Sequence, residues 1–229
     1  MSALPRITCP LCGGLDLLTL PAVRARAYRQ CLRCRLSFMH PADRPSPSAE
    51  KQEYDRHRNL AEDPGYRAFL DRLALPLGEQ LRPGDEGLDY GCGPGPVLAA
   101  MLSERGFPTA AYDPIYAPHA GLLQQQRYDF ISCTEVAEHF HDPAAEFARL
   151  NALLRTGGWL GLMTQWRQPE RDFSAWLYVH DPTHVCFYER TTLDWIARRW
   201  GWALQCPAPN IALFRKLPSP KDASRGAAA

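Results

Sequence analysis

Cys9-Pro10-Leu11-Cys12 and Cys31-Leu32-Arg33-Cys34 are two C-x-x-C pairs with 18 residues between them. Each pair bends as a knuckle that offers two thiolates, and two knuckles complete a tetrahedral four-sulfur Zn²⁺ site. Four protein ligands close such a site, so the zinc is expected to be structural. Paired disulfides are the alternative, one that disagrees with an intracellular chain. A second constellation is Asp89-Tyr90-Gly91-Cys92-Gly93-Pro94-Gly95, followed by Asp113, 24 residues after Asp89. Glycines let a ligand approach the backbone, and N–H groups at a helix start can face it. An acidic residue ending the next strand suits two ribose hydroxyls, the logic of nucleotide-like ligands at the carboxyl edge of an α/β sheet. The glycines are spaced two and two, unlike the G-x-G-x-x-G dinucleotide fingerprint. In a third run, Glu135, Glu138 and His139 stand at i, i+3 and i+4, which a helix would present on one face.

The surrounding sequence supplies elements to hold these residues. An apolar strand ends at Asp89-Tyr90, and Val97, Leu98, Met101 and Leu102 form one helical face stopped by Gly106. Residues 109–112 and 130–134 read as further strands. Asp142-Pro143 starts a helix whose buried face is Phe147, Leu150, Leu153 and Leu154, and Gly157-Gly158 ends it. A strand follows at 159–164, then an insertion at 165–188 rich in aromatic residues and histidines, a helix at 191–200, and a closing hairpin from 202–207 and 210–214. Before the glycine turn, Tyr66, Phe69, Leu70 and Leu73 share a helical face that Pro76 should end. Residues 41–48 hold three prolines and read as an extended linker.

Asp89-x-Gly91-x-Gly93-x-Gly95, the run 128–135 and Leu154-Arg155-Thr156-Gly157-Gly158-Trp159-Leu160 occur in this order over residues 80–214. Together they resemble class I S-adenosylmethionine-dependent methyltransferases, with a core like that of ubiquinone-pathway methyltransferases. The resemblance implies a Rossmann-like α/β fold over residues 46–218, preceded by a zinc-ribbon module at 1–45 and followed by a disordered tail at 219–229. It implies that Gly91, Gly93 and Gly95 make room for the methionine part of the cofactor, that Asp89 orients that end, and that Asp113 binds the ribose. Cys133 and Thr134 fall at the strand end nearest the sulfonium. Tyr54 and His57 would be lid residues over the cofactor, or polar tips of a packed helix. The insertion 165–188 would be the substrate lid, or an aromatic cluster packed on the sheet.

One departure stands out. Only 15 residues separate Asp113 from Asp129, two of them prolines, too few for the usual helix and third strand. That strand is expected to be vestigial or absent, with Pro114, Ile115 and Tyr116 as an apolar wall for the adenine.

The E-x-x-E-H run resembles the same stretch in ubiquinone-pathway O-methyltransferases and small-RNA 2′-O-methyltransferases, which use it, with a further histidine, to hold a divalent cation. Two carboxylates and an imidazole suit Mg²⁺ or Mn²⁺, with His184 or else His180 completing the set. Without a metal, His139 or His184 is the expected base, and Glu135 and Glu138 serve the cofactor contacts and His139.

The expected activity is methyl transfer to a small-molecule acceptor, with a hydroxyl as the acceptor atom. The first 45 residues carry seven arginines against two aspartates on an otherwise acidic chain. That keeps open an RNA methyltransferase gripping its substrate with the zinc module, although few aromatic residues interleave with those arginines. A non-catalytic cofactor- or partner-binding protein is the third reading. With 45% hydrophobic and 22% charged residues, the composition is globular, and no apolar run is long enough for a membrane span. Cysteines stand where a signal peptide would need its apolar core, so a cytoplasmic protein is expected.

Overall fold

A computed structural model describes residues 7–56 and 60–218, so His57 and the tail 219–229 lie outside the described residues. The first knuckle turns at Gly13, with φ 69°, and the second at Arg35, with φ 64°. In each, an N–H returns to the carbonyl of the leading cysteine: Gly13 to Cys9 and Arg35 to Cys31, both at 2.9 Å. Between them β1 (Leu17–Val23) and β2 (Arg26–Cys31) form the expected hairpin, and β3 (Ser37–Met39) adds antiparallel to β2.

The stretch 41–48 is not an extended linker. It makes a 3₁₀ turn at Pro41–Asp43 and then enters α1 (Pro47–Tyr54), capped by the Ser46 hydroxyl. Both prolines occupy first helical positions, where the missing N–H is harmless. α2 (Pro64–Gly78) is capped by Asp63 and continues through Pro76, past the predicted end. The ring removes one helical hydrogen bond, and continuing the helix buries Leu77 completely.

The larger, six-stranded sheet follows in βα order. Its elements are β4 (Gly87–Tyr90), α3 (Val97–Glu104), β5 (Thr109–Tyr112), β6 (Tyr128–Thr134), α4 (Pro143–Leu153) and β7 (Leu154–Met163). β5, β4, β6 and β7 are parallel neighbours. Between β5 and β6 there is only a bridge from Asp113 to Ala117 and a 3₁₀ turn at Ala120–Leu122, so the third strand is missing as expected. After β8 (Cys186–Phe187) and α5 (Arg190–Trp200), β9 (Trp202–Ala208) and β10 (Ile211–Lys216) close the sheet in the order β5-β4-β6-β7-β10-β9, with β10 antiparallel to both neighbours.

β8 does not join that sheet. It pairs antiparallel with β3, Ser37 opposite Phe187 and Phe38 opposite Cys186, making a second sheet β1-β2-β3-β8. The N-terminal residues therefore do not form a module with a separate core. A hairpin this small cannot cover Tyr28, Phe38 and Met39 alone, and it does so with the insertion, through edge contacts of Tyr28 with Phe173 at 5.2 Å and with Phe187 at 6.0 Å.

Phe38→Ala should accordingly destabilise the whole chain by about 3–5 kcal/mol, the usual cost of deleting a buried phenyl ring. Urea denaturation followed by tryptophan fluorescence and by far-UV dichroism should show one shared transition. Two separated transitions would show that the hairpin unfolds alone.

Candidate functional site

The glycine turn leaves β4 at the carboxyl edge of the parallel strands. Gly91 (φ 84°) and Gly93 (φ 63°) both take the left-handed conformation, for different reasons. A Cβ on Gly91 would meet the Val136 methyls at 2.5 Å, so this glycine lets two loops pack. A Cβ on Gly93 would meet nothing within 4 Å, because Gly93 faces a cavity of about 750 Å³. Cys92 and Pro94 line the same cavity, and Gly95 is not on its wall.

Asp113 ends β5 with its carboxylate on the cavity. Oδ1 accepts from the Ile115 and Tyr116 N–H groups at 2.8 and 2.9 Å, and Oδ2 accepts from Gly93 N–H at 3.0 Å. It thus fixes the glycine turn against the 113–117 loop. Pro114, Ile115 and Tyr116 stand on the wall as well. Asp89 lies behind the turn, buried, where it accepts from Ser132 Oγ at 2.8 Å; burial pushes its carboxyl up to about 6. Its position is that of a strut between β4 and β6. Cys133 is fully buried in the core and off the cavity, whereas Thr134 lines it, with an Oγ1 that is sealed from solvent and has no hydrogen-bond partner. The difference follows from strand alternation at the end of β6.

The run after β6 is not one helix. Glu135 has φ 50°, and only Ala137–His139 forms a single 3₁₀ turn. The single helical face expected of the run is thereby broken, although the Glu135 and Glu138 carboxyls still meet at the Tyr178 hydroxyl. The ligating atoms that do come together, all within 4.8 Å of one another, belong to Glu138, His139 and His184. His180 is elsewhere, its Nε2 on the Ser174 carbonyl at 2.8 Å.

Backbone carbonyls set the imidazoles. His139 Nδ1 lies 3.0 Å from Thr183 O, and His184 Nδ1 lies 2.7 Å from Tyr178 O. A carbonyl only accepts, so Nδ1 carries the proton in both rings and Nε2 is the basic nitrogen. Burial lowers the pKa of His184, which keeps it neutral. Glu138 is completely buried. Tyr178 O–H donates to its Oε1, and its Oε2 has no partner. The same hydroxyl is 3.1 Å from Glu135 Oε2. One hydroxyl proton cannot satisfy two carboxylates, and burial with the Glu138 charge beside it raises Glu135 to about 8.

The insertion contributes Asp181 and His184 to the cavity wall while packing Phe173, Tyr178 and Phe187 into the core, so it is at once a wall and an aromatic cluster. α1 lies over the cavity through Glu50 and Tyr54; the Tyr54 ring meets His139 edge-on at 5.2 Å, and Glu50 meets His141 at 2.6 Å. The sequence reading missed Tyr178 as the partner of both glutamates. Its only signal was an aromatic hydroxyl inside an insertion that also carries histidines.

At the other end of the chain, Cys9, Cys12, Cys31 and Cys34 bring their sulfurs together. Cys9 Sγ is 3.5 Å from Cys34 Sγ, and Cys12 Sγ is 3.4 Å from Cys31 Sγ.

The family model described as a methyltransferase domain matches residues 54–206. Among curated proteins, a ubiquinone biosynthesis O-methyltransferase of Leptothrix cholodnii is 32% identical over 106 residues, covering 36% of this chain and 45% of that protein. The chain thus spans less than half the length of that relative. Among solved structures, the Burkholderia thailandensis 1,6-didemethyltoxoflavin-N1-methyltransferase, with bound 1,6-didemethyltoxoflavin and S-adenosylhomocysteine, aligns with a TM-score of 0.57. The alignment covers 87% of this chain and 99% of that one at 16% identity, a likeness of fold: the Rossmann-like α/β methyltransferase fold.

The raised carboxyl of Asp89 has a signed consequence. A carboxyl that binds its proton more tightly folded than unfolded makes stability fall as pH rises from its unfolded value near 4 to about 6. Asp89→Asn lacks that term. Between pH 4 and pH 7 the variant should gain about 2–3 kcal/mol on the wild type in urea unfolding. A constant difference across that range would place Asp89 in a solvated setting.

Proposed function

This chain belongs to the methyltransferase-domain family, and on that premise we propose that it transfers a methyl group from S-adenosylmethionine to a hydroxyl of a small-molecule acceptor. The observation that carries the proposal is the shared wall of the 750 Å³ cavity. Gly93, Pro94, Asp113, Pro114 and Thr134 stand on the side suited to the cofactor, and Glu138, His139 and His184 stand on the side suited to an acceptor oxygen. The sulfonium already activates the methyl carbon, so alignment of acceptor, methyl and sulfur is the main demand on the protein. Gly93 and Pro94 leave room for the methionine end, and Asp113 offers acceptor oxygens to the ribose.

A divalent cation fits the acceptor side. Glu138 Oε2 is a buried carboxylate oxygen with no protein partner, and both histidines are pre-set with Nε2 as the ligating atom. One carboxylate and two imidazoles are a softer set than the two carboxylates and two imidazoles expected, which favours Mn²⁺ over Mg²⁺. Such an ion lowers the pKa of a bound hydroxyl. His139, His184 and Glu138 would hold it, with Tyr178 fixing Glu138. The alternative to the cation is a base, His139 or the neutral His184, that takes the acceptor's proton directly.

Zn²⁺ fits the four cysteines. Zn–S bonds of about 2.3 Å in a tetrahedron put the sulfurs about 3.8 Å apart, close to the spacings here. A Cβ on Gly14 would meet two of the thiols at 3.2 Å, so the knuckle closes tightly around them. Its role in this reading is to hold the hairpin that backs the insertion.

The RNA reading loses ground on the arginines. Arg26 donates to the carbonyls of Val179, His180 and Asp181, Arg35 pairs with Glu189, and Arg44 donates to the His141 carbonyl. These side chains bind the protein itself. Among the described residues, no helix is long and apolar enough to cross a membrane.

Calorimetry with S-adenosylhomocysteine should give saturable binding, weakened by about 1.5–3 kcal/mol in Asp113→Ala, the worth of charge-assisted hydrogen bonds. No binding by the wild type would remove the enzyme reading. Once an acceptor is found, turnover should be lost in chelator and restored best by Mn²⁺, with Glu138→Gln and His184→Ala both severely impaired. Full turnover in chelator would eliminate the cation, and full turnover in His184→Ala would eliminate His184 as the base.

A further inference from the structure

A second cavity, of about 280 Å³, lies between α2 and the first half of the insertion and shares Phe69 and Glu135 with the larger one. Its lining is aromatic and unusually rich in hydrogen-bond donors. Arg72 reaches Asn210 Oδ1 at 2.9 Å and lies 5.9 Å from the centre of the Phe69 ring, and neither Arg72 nor Arg171 has an ion-pair partner among the described residues. Arg167 is nine-tenths buried, and its Nε has no acceptor; the indole N–H of Trp166 has none either. The Arg167 guanidinium does pair with Glu189, but Arg35 shares that carboxylate at 3.4 Å, so one negative charge answers two positive ones.

Two of the acceptors on this wall are already engaged. Asn210 Oδ1 takes the Arg72 guanidinium at 2.9 Å, and Asp172 takes the Ser174 N–H and O–H at 2.9 and 2.8 Å. What the cavity lacks is a group that only accepts. A hydroxyl or amine would bring donors of its own, whereas a carboxylate offers two acceptor oxygens in the spacing of a guanidinium fork. Phe69, Trp166, Phe173 and Trp176 provide flat apolar surface for a ring that carries it.

Resting on the methyl-transfer reading above, we propose that this cavity binds the carboxylate of an aromatic-acid acceptor through Arg72 and Arg171, on the donor-rich wall of Arg167 and Trp166. Glu135 marks where the two cavities meet, and the positive charge that attracts the anion lies on the Arg72 and Arg171 wall. The carboxylate is thereby directed to the arginine end, and the opposite edge of the ring to the cofactor cavity.

The test compares 3-hydroxybenzoate with 3-hydroxybenzamide, matched in shape and differing in charge, by calorimetric titration with and without saturating S-adenosylhomocysteine. The benzoate should bind about ten-fold more tightly than the amide, and added salt should narrow the gap. Arg72→Met combined with Arg171→Met should bring the ratio close to one. Arg67→Met, earlier on α2 and paired instead with Glu104, should leave it unchanged. Equal binding of the two probes by the wild type, or a preference that survives the double substitution, would overturn the proposal. Failure of S-adenosylhomocysteine to bind would count against the methyl-transfer reading instead, because the benzoate preference is read in the same titration without it.

Discussion

Glu189 is a carboxylate buried to within a few percent of its surface, and four segments of the chain meet on it. It caps α5 through the backbone N–H of Thr192, accepts from Gln30 of β2, and pairs with Arg35 of the second knuckle and with Arg167 of the insertion. A buried charge is tolerated only while its partners stay in place; removing one typically costs about 3–5 kcal/mol. This constraint holds the hairpin, the insertion and the last helix in one arrangement. The pairing of β3 with β8, and the placement of Tyr178 and His184 within the insertion, depend on it.

The site accordingly has two supports of different origin. The cofactor side stands on the parallel sheet, where Asp113 and the glycine turn are fixed by backbone hydrogen bonds. The acceptor side stands on the insertion, which the four-cysteine hairpin backs: Arg26 of β2 donates to three consecutive carbonyls at 179–181, beside the segment that orients His184. Two close carboxyls, Glu135 and Glu138, share one tyrosine hydroxyl between these supports. Such a like-charge pair is unfavourable when buried, so its retention in a cavity wall points to a role beyond stability.

Loss of the third strand reshapes the far edge of the sheet. β5 becomes an edge strand of four residues, short enough to present little unpaired backbone. Tyr112 stacks on Tyr90 at 5.3 Å, and the Glu146–Arg149 pair of α4 closes over the Tyr90 hydroxyl. The Asp113 carboxylate ties the short loop that follows to the glycine turn.

Much of this was legible in the residues themselves, because it depends on short-range stereochemistry. The N-cap Asp142, the C-x-x-C knuckles, the glycine turn after β4 and the shortage of chain between Asp113 and Asp129 all follow from neighbours within a few positions. The tertiary structure decided what distant segments share. Helical spacing put Glu135 beside Glu138, but Val136 packing into the cleft at Gly91 accompanies a left-handed turn at Glu135 that breaks that face. His184, 45 residues from His139 and expected to complete the set, does meet Glu138 and His139, because β3–β8 pairing and Tyr178 fix the insertion against the cavity. No local pattern could show that a cysteine hairpin lacking a core of its own would complete it with the aromatics of residues 173–188. That outcome depends on how much apolar surface each segment must cover, which is settled only when the two meet.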